Sequence, residues 1–440
     1  MTATLETLVP RAETCDSLMT IGPDSASHPA YFRDLQQQAW EKFDSLPMPV
    51  RTDVAWRFAD VKAVKLDAFR RAEAVSDAEQ ATLLQRSKSI ADTAGRMVFA
   101  NDRLLSRHFH GDSLRAKGVI WLPMDEAIAQ HEALVRQYFM REDAVLGSAK
   151  FAALHASQVR AGTFLYVPRG VEIALPVESF HWLSGENASV FPHTLVVAED
   201  NAKVTLLDCF ESADEAPAFA CGVNDIHVGN GARVNYIAVQ QWNRKTTAFH
   251  INSTIVQRDA NALALTLNLG GALVRGEAVS RLRGSGSRSD MLSASAADGD
   301  QVFDQRTLQV HEVPNTSSDL LYKNALNDRA RTIFTGLIRV DHGAHRTDAY
   351  QKVRNILLSD ECEANSAPGL EIEADDVRCT HGATTGQLES EELFYLESRG
   401  IPRRVAQQLI VFGFLNEVVE RVGNPAVMEK LGEILHSKLG

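Results

Sequence analysis

"HTLVVAEDNAKVTLLDCF", residues 193–210, holds the pattern that decides the fold. Two runs rich in β-branched and aliphatic residues flank Asp200-Asn201, so the stretch reads as strand, turn, strand. The same unit recurs. "DIHV" and "RVNYIAVQ" flank Asn230-Gly231, and "INSTIV" and "LALTLNLG" flank Asp259 to Asn261. The turn residues Asn201, Asn230 and Asn261 stand 29 and 31 residues apart. Looser copies follow around Asp298-Gly299 and Asn327-Asp328. A strand–turn–strand unit of near-constant period marks a repeat architecture, whose coils stack to bury a shared core. The chain is therefore expected to be mainly β, with a right-handed β-helix (β-solenoid) core. A sandwich has no reason for such a period. In the third unit Leu263, Leu265, Leu267 and Leu269 point one way while Ala264, Thr266 and Asn268 point the other.

On either side the period changes to that of a helix. In "YFRDLQQQAWEKF", Phe32, Leu35, Ala39, Trp40 and Phe43 fall at helical spacing, and the prolines of "SLPMPV" stop the helix. A second helical stretch opens at Ser76, a suitable N-cap. Near residue 389 the pattern turns helical again. Ser390 is placed to cap "EELFYLESR", Gly400 ends it, and Pro402 opens a helix carrying Val405, Leu409, Phe412, Val418, Val419 and Val422. Asn424-Pro425 starts a third helix. The expected organisation is a helical region over residues 1–98, a β-helix core over 99–375, and a C-terminal helical domain over 376–440 that caps the solenoid's end.

Composition narrows the partners. The 440 residues carry 45 basic and 57 acidic side chains, a net charge of −12, which argues against nucleic acid or an anionic membrane. No apolar run approaches the length of a membrane span, and the N-terminus has neither a basic start nor an apolar stretch, so a cytoplasmic protein is expected. Five scattered cysteines, Cys15, Cys209, Cys221, Cys362 and Cys379, with no Cys-x-x-Cys, argue against a disulfide framework and a structural zinc site. Any metal site has to be assembled from distant parts of one chain or from two.

The usual signs of catalysis are missing. There is no P-loop, no G-x-S-x-G elbow and no H-E-x-x-H, and "GNGARV" and "GSGSRS" read as turns. The adjacent acidic pairs Asp375-Asp376 and Glu391-Glu392 point apart and read as solvated or capping residues. A carbohydrate enzyme is a rival by analogy of fold, but it calls for secretion and a ladder of carboxylates, and neither is evident. Among 14 histidines, His342 and His345 fall in a turn and His108 and His110 on a surface strand. "DDVRCTHGATTGQL", residues 375–388, differs: Val377, Cys379 and His381 share one face of a strand, next to the point where the solenoid meets the C-terminal helices. That spacing suits ligation and suits core filling equally.

Residues 346–401 carry T-D-A-Y-Q, N-x-L-L-S-D, P-x-L-E-I-x-A-D-D-V-x-C-x-H-G-A-T and L-F-Y-L-x-S-R-G-I. Together these closely resemble the SufD family of iron–sulfur cluster assembly proteins, within the SufB/SufD superfamily. Support extends through "GTFLYVPRGVEIALPV", "HEVPNTSSDLLYKNAL" and, more weakly, "RTDVAWRFADV". The resemblance implies a β-helix core between helical regions and a non-catalytic scaffold of the SUF machinery. It implies a SufB-type paralogue and a SufC-type ABC ATPase as partners, the ATPase docking on the C-terminal helices. It also implies no permanently bound cofactor, only a transient iron–sulfur cluster or iron. The family's functional histidine falls on His381, with Cys379 a weaker candidate. Cys362, in "CEANS", departs from the D type and nearly reproduces a B-type cysteine context. If functional, it would make Cys362 and His381 a metal pair, and the alternative is a self-sufficient homodimeric iron or cluster carrier.

Overall fold

The computed structural model describes residues 17–23, 27–87 and 90–440, so Cys15 and the rest of residues 1–16 lie outside the described residues. Two largely parallel sheets run the length of the solenoid, and each coil gives one strand to each sheet. One sheet climbs from Gly162–Val167 to Glu363–Ile372, the other from Val177–Leu183 to Arg378–Gln387, over eight coils. Register is maintained from coil to coil: Lys203 stands beside Arg233, and Arg233 beside Asn261.

The turn residues explain the period. Asn201, Gly231, Asp259, Gly286 and Asn315 stack along one edge, with φ of 58°, 66°, 56°, 78° and 59°. Glycine, asparagine and aspartate are the residues that tolerate this left-handed geometry. Each hands its N–H to a carbonyl of the next coil, as Asn201 does to Asn230 (2.8 Å) and Asp259 to Ser285 (3.0 Å). The looser copies at Asp298-Gly299 and Asn327-Asp328 belong instead to the opposite edge, where the chain returns from the second sheet to the first. The true continuation of the first column is Gly286 and Asn315.

Helices cover both outer faces. The expected core over 99–375 is interrupted by helices within residues 112–158, of which Ala149–Gln158 lies against the first sheet. There Phe151 stacks on Phe249 with ring centroids 3.9 Å apart. The buried Arg275 side chain clamps the N-terminal region: it bonds Glu277 (2.8 Å) and Asp304 (2.5 Å) and lies 3.9 Å from the Trp56 ring. The four-leucine face is the outward one. Leu265, Leu267 and Leu269 pack under Val411, Leu415 and Val418 of the helix Arg403–Val419.

Three expectations at the C-terminal end change. The last strand runs to Gln387 and helix begins at Ser390, so the helical part starts well after residue 376. Ser390 is the first helical residue rather than a cap, whereas Gly400 (φ 83°) and the Asn424 side chain, accepting from Val427 N–H at 3.2 Å, end and begin helices as read. The helices do not cap the solenoid. They lie on the side of the second sheet, against Arg288–Ala297 and Ser317–Leu326, because that is where the leucine face needs cover. The Lys323 ammonium fixes them there through the Phe414 carbonyl (2.8 Å) and Glu417.

Candidate functional site: the open last coil

Strands Glu363–Ile372 and Arg378–Gln387 end the two sheets, and nothing pairs with their outer edges among the described residues. The polar, glycine-containing sequence "RCTHGATTGQ" keeps its strand because register with Asp348–Leu357 is complete, from Arg378 beside Asp348 to Gln387 beside Leu357. Its outward and upper surface is exposed along almost its whole length.

Cys379 and His381 share a face, as the spacing predicts. Register partners in a parallel sheet point the same way, and Ala349 and Gln351, the partners of Cys379 and His381, are buried inside the solenoid. Both side chains therefore look toward the lumen at its open mouth. Cys379 packs with Ile338, Val340 and Ala349. Partial burial, aided by the nearby Asp348 charge, pushes its thiol up, so it stays protonated at neutral pH. His381 is exposed.

Cys362 sits elsewhere. It is 8% exposed, packs in the lumen core near Leu326 and Ala330, and its thiol lies 3.1 Å from the Ser359 carbonyl. Its turn is tied to the far end of the last strand, where Gln387 Nε2 donates to Asp360 at 2.9 Å. From there His381 is six residues back along the strand, on the order of 20 Å at about 3.3 Å per residue. One chain does not bring Cys362 and His381 together, and no group of three or more potential metal ligands forms among the described residues. His345 donates from Nδ1 to the Asp375 carbonyl (2.9 Å) at the opposite edge. Cys209 and Cys221 are fully buried, and burial pushes both thiols up.

Two features escaped the sequence reading. Phe394, Tyr395, Val405 and Leu409 are exposed at 70%, 58%, 42% and 50%, so Val405 and Leu409 belong to an outer face rather than to the buried stripe. The L-F-Y-L motif marked Phe394 and Tyr395, while no signal separated Val405 and Leu409 from the buried stripe. The second is a polar lumen beneath the last coil, in which Asn324 donates to Asn355 (2.8 Å) and Asn355 to Thr385 (3.0 Å).

The geometry defines a class: a β-solenoid closed on its sides by helices and open at its last coil, where a thiol and an imidazole face its mouth. Residues 181–414 match the model of the family described as "SUF system FeS cluster assembly, SufBD core domain", and the chain belongs to that family. It is 29% identical to the iron-sulfur cluster assembly protein SufD of Bacillus subtilis over 93% of this chain and 94% of that protein. It is 27% identical to an iron-sulfur cluster assembly SufBD family protein of Synechocystis, over 88% and 86% respectively. A SufBD family protein of Staphylococcus epidermidis is 29% identical over 69% of this chain and 65% of its own length. No helix among the described residues is long and apolar enough to cross a membrane.

Proposed function

We propose that this chain is a non-catalytic scaffold subunit of the SUF machinery. It pairs with a SufB-type paralogue across the open last coil and carries a SufC-type ABC ATPase on its C-terminal helices. Nascent iron–sulfur clusters are the cargo of the junction. The observation that carries the reading is the last coil itself, with two unpaired strand edges and His381 at its mouth. Exposed edges are otherwise an aggregation hazard, and a partner strand satisfies them.

His381 supplies a neutral imidazole nitrogen and Cys379 a thiolate once metal has displaced its proton, both suitable for iron. Two side chains do not complete a cluster site, so the remaining ligands come from the partner. Cys362 joins them only if the 358–362 turn opens. A self-sufficient carrier using Cys362 and His381 must bridge opposite edges of the coil, which is why it ranks second. The exposed patch of Phe394, Tyr395, Val405 and Leu409 is the surface offered to the ATPase.

Co-expression with a SufB-type protein and a SufC-type ATPase, followed by native mass measurement, tests this. A stable complex containing all three is expected, and His381→Ala should assemble equally well but lose cluster formation. A chain that runs alone with both partners present would overturn the reading.

A further inference from the structure

Beneath His381 the lumen holds an acceptor with nothing to accept. Gln351 is 2% exposed, and its Oε1 has no hydrogen-bond partner among the described residues. The direction of its amide is fixed by its neighbours. Gln309 Nε2 donates to the Tyr350 carbonyl at 3.2 Å and to Ser318 Oγ at 2.7 Å, and a carbonyl can only accept. Gln309 therefore turns its oxygen to Gln351, whose Nε2 donates to it at 3.4 Å. Gln309 lies one coil earlier, so the other arm of the Gln351 amide, its oxygen, is left for the coil that follows. Gly336 makes room for this amide: a Cβ there would stand 2.5 Å from Gln351 Nε2.

On the following coil the register partner of Gln351 is His381, on the same face and about 4.8 Å away across the strands. An imidazole that binds metal through one nitrogen holds a proton on the other, and that N–H needs an acceptor. Among the described residues His381 has no hydrogen bond of its own. We propose that Gln351 is the positioning residue of His381: its Oε1 accepts the imidazole N–H and leaves the opposite nitrogen's lone pair facing the open end. This deepens, and rests on, the reading of His381 as a ligand.

Histidine-selective 15N labelling of the full chain reads the tautomer of each imidazole, with His381→Ala assigning the signal. Wild-type His381 is expected to favour one tautomer. Gln351→Met should move the ratio about fivefold, the bias a neutral hydrogen bond of about 1 kcal/mol supports. Gln351→Glu keeps an acceptor in place and should retain the bias. His181, bonded to Asp208 at 3.0 Å far from the last coil, reports whether the fold is intact. Equal ratios in wild type and Gln351→Met would overturn the proposal. If Gln351→Met fails to fold, Gln351→Glu decides: a bias lost there, with an acceptor still in place, would overturn the proposal as well. A complex that assembles clusters normally with His381→Ala would instead sink the ligand reading and leave the tautomer result standing.

Discussion

At the first end of the solenoid each sheet stops on an antiparallel strand, Arg103–Phe109 on one and Ile120–Pro123 on the other. At the last end each stops on a parallel strand, with no strand paired beyond it among the described residues. The lumen follows the same division. Its first end is plugged by Trp121, 3% exposed, with Phe109 edge-on at 5.4 Å and Leu114 beside them. Its last end has no plug, and Cys379 and His381 stand at the opening. Reversal of strand direction and an aromatic plug make the first end self-sufficient. The last end has no such plug and presents a thiol and an imidazole at its mouth, the features on which the proposed pairing with another chain rests.

The widest effect expected from this division is on acid stability, because the fully buried histidines and aspartates with displaced titration lie in the closed body. Burial holds His155, His227, His250 and His311 at about 4, below the ordinary imidazole value of 6.5. These groups are neutral when folded and take up protons on unfolding, so their stabilisation is present above pH 6.5 and is lost as pH falls toward 4. Asp102 and Asp225, raised to about 7 by burial, run the other way, since the fold holds them protonated. Between pH 6.5 and 4 the unfolded chain gains four protons on these histidines against two held by the folded aspartates. Stability should fall by on the order of 1–3 kcal/mol per pH unit. Urea midpoints measured from pH 7 to 4.5 check it, and a flat profile would overturn the expected excess of histidine protons over carboxyl protons.

The plug itself comes next. Trp121→Ala should cost about 3–5 kcal/mol of unfolding free energy, the usual price of an aromatic removed from a packed core. Leu370→Ala, its counterpart in the half-open last coil, should cost only about 1 kcal/mol because little packs over it. Equal losses would break the contrast between the two ends.

Much of this architecture was legible because the turn column is chemically narrow. Only residues that accept a positive φ repeat at Asn201, Gly231 and Asp259, and each does so once per coil. What covers the strands was not legible. The alternation Leu263 to Leu269 announces two faces without saying which is inner, and the leucines prove to serve the C-terminal helices while Asn268 turns inward to Ser293 at 3.2 Å. A polar lumen reads, in one strand, like a solvated face. The same limit applies to the site. Cys362 and His381 are 19 residues apart in sequence, yet a coil puts a turn residue and a strand residue at opposite edges. Cys379 and His381, on one strand, could be paired from spacing alone.

The helical side face offers a third comparison, between the buried stripe of the helix Arg403–Val419 and the exposed aromatic pair of the helix Ser390–Ser398 before it. Leu415→Ala, at a position fully buried against the second sheet, should lower stability by about 2–5 kcal/mol. Joint replacement of Phe394 and Tyr395 by alanine should change stability by less than about 0.5 kcal/mol, since both side chains are largely in solvent. Calorimetric titration with a SufC-type ATPase should show the reverse, with binding weakened more than tenfold by the double replacement, as expected when aromatic anchors are removed. Unchanged binding would move the ATPase off this face.

The smallest effect is expected at Cys362, and it separates a structural thiol from a ligand. The side chain already has a use in the free chain: its S–H lies 3.1 Å and 3.5 Å from the Ser359 and Leu326 carbonyls, and it fills the lumen near Ala330. Serine preserves the donor and loses only some apolar contact, so Cys362→Ser should cost about 1 kcal/mol or less. Reactivity gives the sharper answer. A thiol sealed beneath the 358–362 turn should resist alkylation in the isolated chain and become modified only as fast as that turn opens. If the partner complex labels Cys362 at least tenfold faster than the isolated chain, docking opens the turn and the thiol reaches the junction. If both label equally slowly, Cys362 belongs to the core, and the last coil's chemistry rests on Cys379 and His381.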